Sequence, residues 1–136
     1  MNTYLIQNII FGISLLVLDG IFIYNVVLGK YITLFKNLNI TMKKDIFSAL
    51  ITYVILICSF YIIYNAGVGS MKDMILRAAL LGLAIYGTYA FTLCTILPYY
   101  DYNLAIVDTL WGVFLFTMST LITIIIYKFF IKNASS

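Results

Sequence analysis

The sequence predicts an all-α, four-transmembrane-helix bundle, and three observations predict it. Of 136 residues, 64% are apolar or aromatic and only 10% are charged; soluble domains run at about a quarter charged and about half apolar. Most of the charges fall between four long charge-poor runs, each close to the about 20 residues that a helix needs to cross a hydrocarbon core. The runs are solidly apolar, without the alternation of the roughly ten-residue strands of a membrane β-barrel. Helices satisfy their own backbone groups in lipid, so they are the expected spanning element.

The first run, residues 4–28, is interrupted only by Asp19 and is expected to end at Gly29-Lys30. It lacks the basic start and cleavage pattern of a signal peptide. The second, 46–65, stops at Gly67-Val68-Gly69-Ser70, a glycine-rich breaker. The third, 74–97, absorbs Arg77 in its first turn and ends before Pro98, which cannot continue it. The fourth, 103–127, is closed by Lys128 and Lys132. We expect a single integral membrane domain over residues 1–136, with no internal repeat.

Residues 30–45 mix lysines with Tyr31, Ile32, Leu34, Phe35, Leu38 and Ile40, which suits an interfacial segment or a solvated loop. The 97–103 turn, LPYYDYN, places three tyrosines where an aromatic belt lies. Four crossings put both termini on one face (the end face) and these two connections on the other (the loop face). Lysine and arginine divide evenly between them, but the first helix has its flanking lysines on the loop face. That places the loop face in the cytoplasm and both termini on the non-cytoplasmic side. The sequons Asn39-Ile40-Thr41 and Asn133-Ala134-Ser135 lie on opposite faces and do not decide it.

Several chemistries are excluded by composition. There is no histidine and no glutamate, which removes Ser-His-Asp and Cys-His nucleophiles, histidine-ligated zinc or haem, and Glu/His di-iron centres. No metal and no cofactor is expected, and the chain does not read as an enzyme. The eight basic residues give a net charge of +3 but form no phosphate-tracking face, so nucleic acid is not a partner. Cys58 and Cys94 lie inside apolar runs and read as buried thiols.

Asp19 and Asp108 are the candidate site. Asp19 lies roughly 15 Å and Asp108 roughly 7 Å inside the membrane from the loop face at about 1.5 Å per residue. An ionised group at a helix centre costs on the order of 3 kcal/mol even on a lenient scale. No lysine or arginine is placed to offset it. The acids must stay protonated, share a proton, or hold a mobile cation, and they must face the bundle interior. Thr88, Thr92 and Thr95 form one stripe on the third helix with Tyr86 and Tyr89 nearby; Ser48, Thr52 and Ser59 form another on the second. The Trp111 indole N–H is placed to bond an acid on a neighbouring helix. Gly82, with Ala78, and Gly112 read as close-packing positions.

The favoured reading is proton- or cation-linked transport or conduction through Asp19 and Asp108, in a lipid bilayer. A homo-oligomer is expected, because four short helices enclose little volume. The alternative is a structural or assembly membrane protein whose aspartates are an interhelical clasp. An intramembrane aspartyl enzyme trails, since neither acid has a Gly-x-Gly-Asp or Tyr-Asp context.

The chain resembles the four-pass membrane protein family catalogued as domain of unknown function 2177, over nearly its whole length. The marks are Leu16-Val17-Leu18-Asp19-Gly20-Ile21-Phe22, Gly82-Leu83-Ala84-Ile85-Tyr86-Gly87-Thr88-Tyr89 and Val107-Asp108-Thr109-Leu110-Trp111-Gly112. The resemblance implies a four-helix membrane fold, bacterial and large-DNA-virus relatives, and no established activity. It also implies tryptophan, aspartate and asparagine where Phe22, Ala90 and Leu93 stand. The isoleucine, asparagine, lysine and tyrosine usage suits an AT-rich genome, compatible with a viral source.

Overall fold

Four helices long and apolar enough to cross a membrane span Thr3–Asn37, Ile46–Tyr64, Met71–Ile96 and Tyr102–Phe130 in the computed structural model. It describes residues 3–41, 43, 45–65 and 70–132, and no strand occurs among them. In finer detail the order is α1 (Thr3–Phe22), a π turn (Ile23–Val27), α2 (Leu28–Asn37), α3 (Ile46–Cys58), α4 (Phe60–Asn65), α5 (Met71–Ile96) and α6 (Tyr102–Ile126), which continues as a π-helical end (Tyr127–Lys132).

The first helix does not end at Gly29-Lys30. It runs on through the π turn and α2 for 35 residues, about 52 Å at 1.5 Å per residue against a core of about 30 Å. A helical glycine costs about 1 kcal/mol, but the face beyond it packs: Leu34 is buried, with Tyr31 and Leu38 against the same cluster. Full burial of a leucine returns about 1.5–3 kcal/mol. The true stop is Asn39, whose φ of 54° is left-handed. Its amide donates to Lys36 O and the Ile40 amide to Phe35 O, the paired bonds of a Schellman end.

Ser59 separates α3 from α4. Its hydroxyl bonds back to the Leu56 carbonyl at 2.6 Å, a local competition that bends helices. The bend lets Phe60 and Ile63 enter the core. The third crossing starts at Met71, ahead of the expected 74, because Asp73 accepts from both the amide and the hydroxyl of Ser70. The expected breaker at 67–69 lies outside the described residues, as does the second sequon.

α5 and α6 pack most closely, and α1 lies along α6. A Cβ at Gly82 would run into the Gly112 carbonyl, and one at Gly112 into the Tyr86 ring. At Gly82 the two backbones therefore touch, and the Tyr86 ring lies against the bare main chain of Gly112. Across the end-face half, Phe11, Leu15, Phe60, Ile63, Leu115 and Phe116 form one fully buried layer. The outward faces carry Ile13, Val17, Ile21, Leu50, Val54, Leu76 and Leu80 exposed, which suits hydrocarbon rather than water. Cys58 belongs to that outward surface and Cys94 is only half-buried, so neither is the buried thiol expected. Cys58 follows the lipid-facing side of α3.

Candidate functional site

Each of the two aspartates is held by aromatic donors from other parts of the bundle. Asp19, on α1, is 6% exposed. Its Oδ1 accepts from the Trp111 indole N–H of α6 at 2.9 Å and its Oδ2 from the Tyr53 hydroxyl of α3 at 2.9 Å. One carboxylate thus ties three helices. Asp108, on α6, is also 6% exposed. The hydroxyls of Tyr31, at 3.0 Å, and Tyr100, at 2.6 Å, both donate to its Oδ2. Asp108 lies six residues past Tyr102, about 9 Å into the membrane, and Trp111 marks a level roughly 4.5 Å deeper.

The π turn explains why Tyr31 arrives there. In an uninterrupted α-helix Tyr31, twelve residues after Asp19, would stand about 120° around the axis from it. The Leu28 amide instead bonds to Ile23 O, a five-residue span that adds one residue to the turn. That turns Tyr31 back by about 100°, to within about 20° of the Asp19 face. The side-chain amide of Asn25 donates to Ile21 O at 2.7 Å within this stretch.

Tyr100 arrives by a different device. The Tyr100 amide bonds to Leu97 O across Pro98 and Tyr99, and Tyr99 has a φ of 67°. Proline followed by a left-handed residue is a type II turn, here with a bulky side chain where glycine is usual. A left-handed tyrosine costs on the order of 1–3 kcal/mol. The turn brings Tyr100 inward and leaves Asp101 to cap α6 through the Leu104 amide at 2.8 Å. Burial first, then the bond to Asp108, push the Tyr100 hydroxyl above the ordinary tyrosine range, so it stays a donor.

The two carboxylates share one cavity of about 260 Å³, lined by Asp19, Phe22, Ile23, Val27, Tyr31, Tyr86, Tyr89, Asp108 and Trp111. Phe22 stacks on the Trp111 indole with ring centroids 3.9 Å apart and planes 5° from parallel, fixing the donor's direction. Tyr86 is within electrostatic range of both acids. Among the described residues no lysine or arginine pairs with either one; the ion pair there is Lys43–Asp45, at 3.1 Å on the surface. Arg77 donates to Asp73 O near the end face. The apolar layer from Phe11 to Phe116 separates the cavity from that end. Beyond it lie buried polar atoms with no hydrogen-bond partner among the described residues: Asn8 Oδ1, Arg77 Nη1 and the hydroxyls of Thr117, Ser119 and Thr120.

Of the residues singled out in the sequence, Asp19, Tyr86, Tyr89, Asp108 and Trp111 line this cavity. Thr88 and Thr92 do not: both are exposed on the outer side of α5, because Gly82 and Ala90 take the inward face. Ser48 and Thr52 are likewise exposed, and Thr52 bonds back to Ser48 O. Tyr53, Tyr31 and Tyr100 carry the bonds instead. A tyrosine in mid-span needs a partner for its hydroxyl, a signal that points to Tyr53.

The sequence matches the family of predicted membrane proteins DUF2177 over residues 4–125. The chain belongs to that family. No curated protein and no solved structure matches it. Phe22, Ala90 and Leu93, the three positions singled out through the resemblance, lie beside residues that bond the two acids. Phe22 is the ring stacked on Trp111. Ala90 is fully buried, and Leu93 packs beside it, in the cluster that holds Tyr100 and Leu104.

Proposed function

We propose that this DUF2177 protein binds a proton or small cation between Asp19 and Asp108 and carries it across the membrane. The observation that supports this reading is one cavity holding two buried carboxylates and only neutral donors. Burying negative charge at mid-depth without a counter-charge is costly, so a mobile positive species completes the site. The cavity lies in the loop-face half, and the Phe11–Phe116 layer closes it from the end face. Those two features favour a carrier that exposes the site to one side at a time over an open pore. We place the loop face in the cytoplasm. Because the cavity is formed within one chain, the reading does not require the homo-oligomer.

A second reading is supported by the bonds of Asp19, which reach α3 and α6 from α1. On that reading the acids are a clasp and nothing moves. Proteoliposomes carrying an internal pH dye, with the parent chain and with Asp19→Asn and Asp108→Asn, separate the two. The carrier reading expects ion-driven acidification in the parent and its loss in both variants, each still folded by circular dichroism. No flux in the parent, with lowered thermal stability in the variants, would refute the carrier and leave the clasp.

A further inference from the structure

A proton does not need the space around these acids. The cavity of about 260 Å³ has room for roughly eight waters at about 30 Å³ each. Its walls are the rings of Phe22, Tyr31, Tyr86, Tyr89 and Trp111 with aliphatic Ile23 and Val27. A hard metal ion takes about six or more oxygen ligands. Both Asp19 oxygens and Asp108 Oδ2 are already hydrogen-bond acceptors for the protein. Among the described residues no group of three metal-ligating side chains exists. A ligand with one positive charge on an apolar body matches both parts of the wall. The carboxylates attract its charge, and aromatic faces attract a cation within about 6 Å.

A second cavity, about 310 Å³, is lined by Thr52, Leu56, Ile85, Tyr86 and Tyr89 on the α3–α5 side. Tyr86 and Tyr89 wall both spaces. Tyr89 is 54% exposed on the outer surface while it lines the inner cavity, so one layer of side chains separates the acids from lipid there. α5 packs on α6 and α4, and α3 on α1, without comparable packing between α3 and α5.

We propose that the site takes a small lipophilic organic ammonium ion, admitted sideways from the bilayer between α3 and α5 past Tyr89. This rests on the reading that the two carboxylates take up a cation. Trp111 is the chain's single tryptophan, so tryptophan emission comes from one residue that lines this cavity and bonds Asp19. The test is a titration of the whole protein in lipid nanodiscs with benzyltrimethylammonium, beside its uncharged carbon analogue neopentylbenzene, sodium chloride, and a pH series.

The expected result is a saturable change in Trp111 emission with the ammonium and none with the neutral analogue. Asp19→Asn or Asp108→Asn should weaken it about tenfold or more. Tyr89→Ala, on the outer surface, should speed the approach to equilibrium. An emission that follows pH or sodium but ignores the ammonium overturns this proposal and leaves the cation reading standing. An emission that follows none of them overturns both. An equal response to neopentylbenzene overturns charge recognition, and an unchanged rate in Tyr89→Ala overturns the lateral route.

Discussion

Deleting Asn25 removes the extra residue of the π turn and tests whether that residue is what delivers Tyr31 to Asp108. The side chain of Asn25 is exposed, so its loss removes little packing of its own. What changes is register: α2 rotates by about 100° and shifts by about 1.5 Å. Tyr31 then leaves Asp108, and Leu34 leaves its cluster with Ala90, Tyr100, Leu104 and Ala105. The lost bond is worth about 1–3 kcal/mol and the re-exposed leucine about 1.5–3 kcal/mol. A regular α-turn returns about 1 kcal/mol, leaving a net destabilisation of about 1.5–5 kcal/mol. Unfolding in mixed micelles, followed by circular dichroism, measures it for the parent, the deletion, Tyr31→Phe and the combination. Tyr31→Phe alone should cost about 1–3 kcal/mol, and almost nothing once the deletion has broken the same bond. A deletion within about 0.5 kcal/mol of the parent, or a Tyr31→Phe cost equal in both backgrounds, would refute the register argument.

Three other outcomes are expected. Gly112→Ala pushes a methyl into the Tyr86 ring and should destabilise by about 1–3 kcal/mol while shifting Trp111 emission; Gly20→Ala, with nothing within 4 Å of the new methyl, should instead stabilise by up to about 1 kcal/mol, both read by thermal unfolding. The Ser48 amide, then Lys43, hold the Asp45 carboxyl below its usual range. A depressed folded value means this cap contributes above the ordinary carboxylate range and is lost as pH falls through the folded value. Hydrogen exchange at Ser48, corrected for its intrinsic rate, should therefore quicken in acid, and the quickening should vanish in Asp45→Asn.

The crossings and the inward direction of Asp19 and Asp108 were legible because both follow from solvent. An apolar run of spanning length has one stable form in lipid, and a carboxylate has one tolerable direction. Trp111 was legible for the same reason, as a donor in search of an acceptor. The threonines of α5 were misleading because a hydroxyl can satisfy itself on its own helix, as Thr95 does by bonding to Phe91 O; polarity alone gives such a side chain no preferred face. Tyr31 and Tyr100 were hidden for a geometric reason. One depends on a widened turn and the other on a left-handed Tyr99, and neither leaves a compositional mark. The extension of the first helix past Gly29 was hidden because its stability comes from Leu34 packing on distant residues, which overrides a local glycine.

Where Gly82 meets Gly112, two main chains rest directly on each other with no soft side chain to compress between them. Such a joint has no slack, so α5 and α6 form a fixed post inside the membrane. On the proposed carrier reading, the parts left to swing are the long rod of α1 and α2 and the broken arm of α3 and α4. Asp19 joins the rod to the post through Trp111 and to the arm through Tyr53, so a change of charge on that one group loosens two joints together.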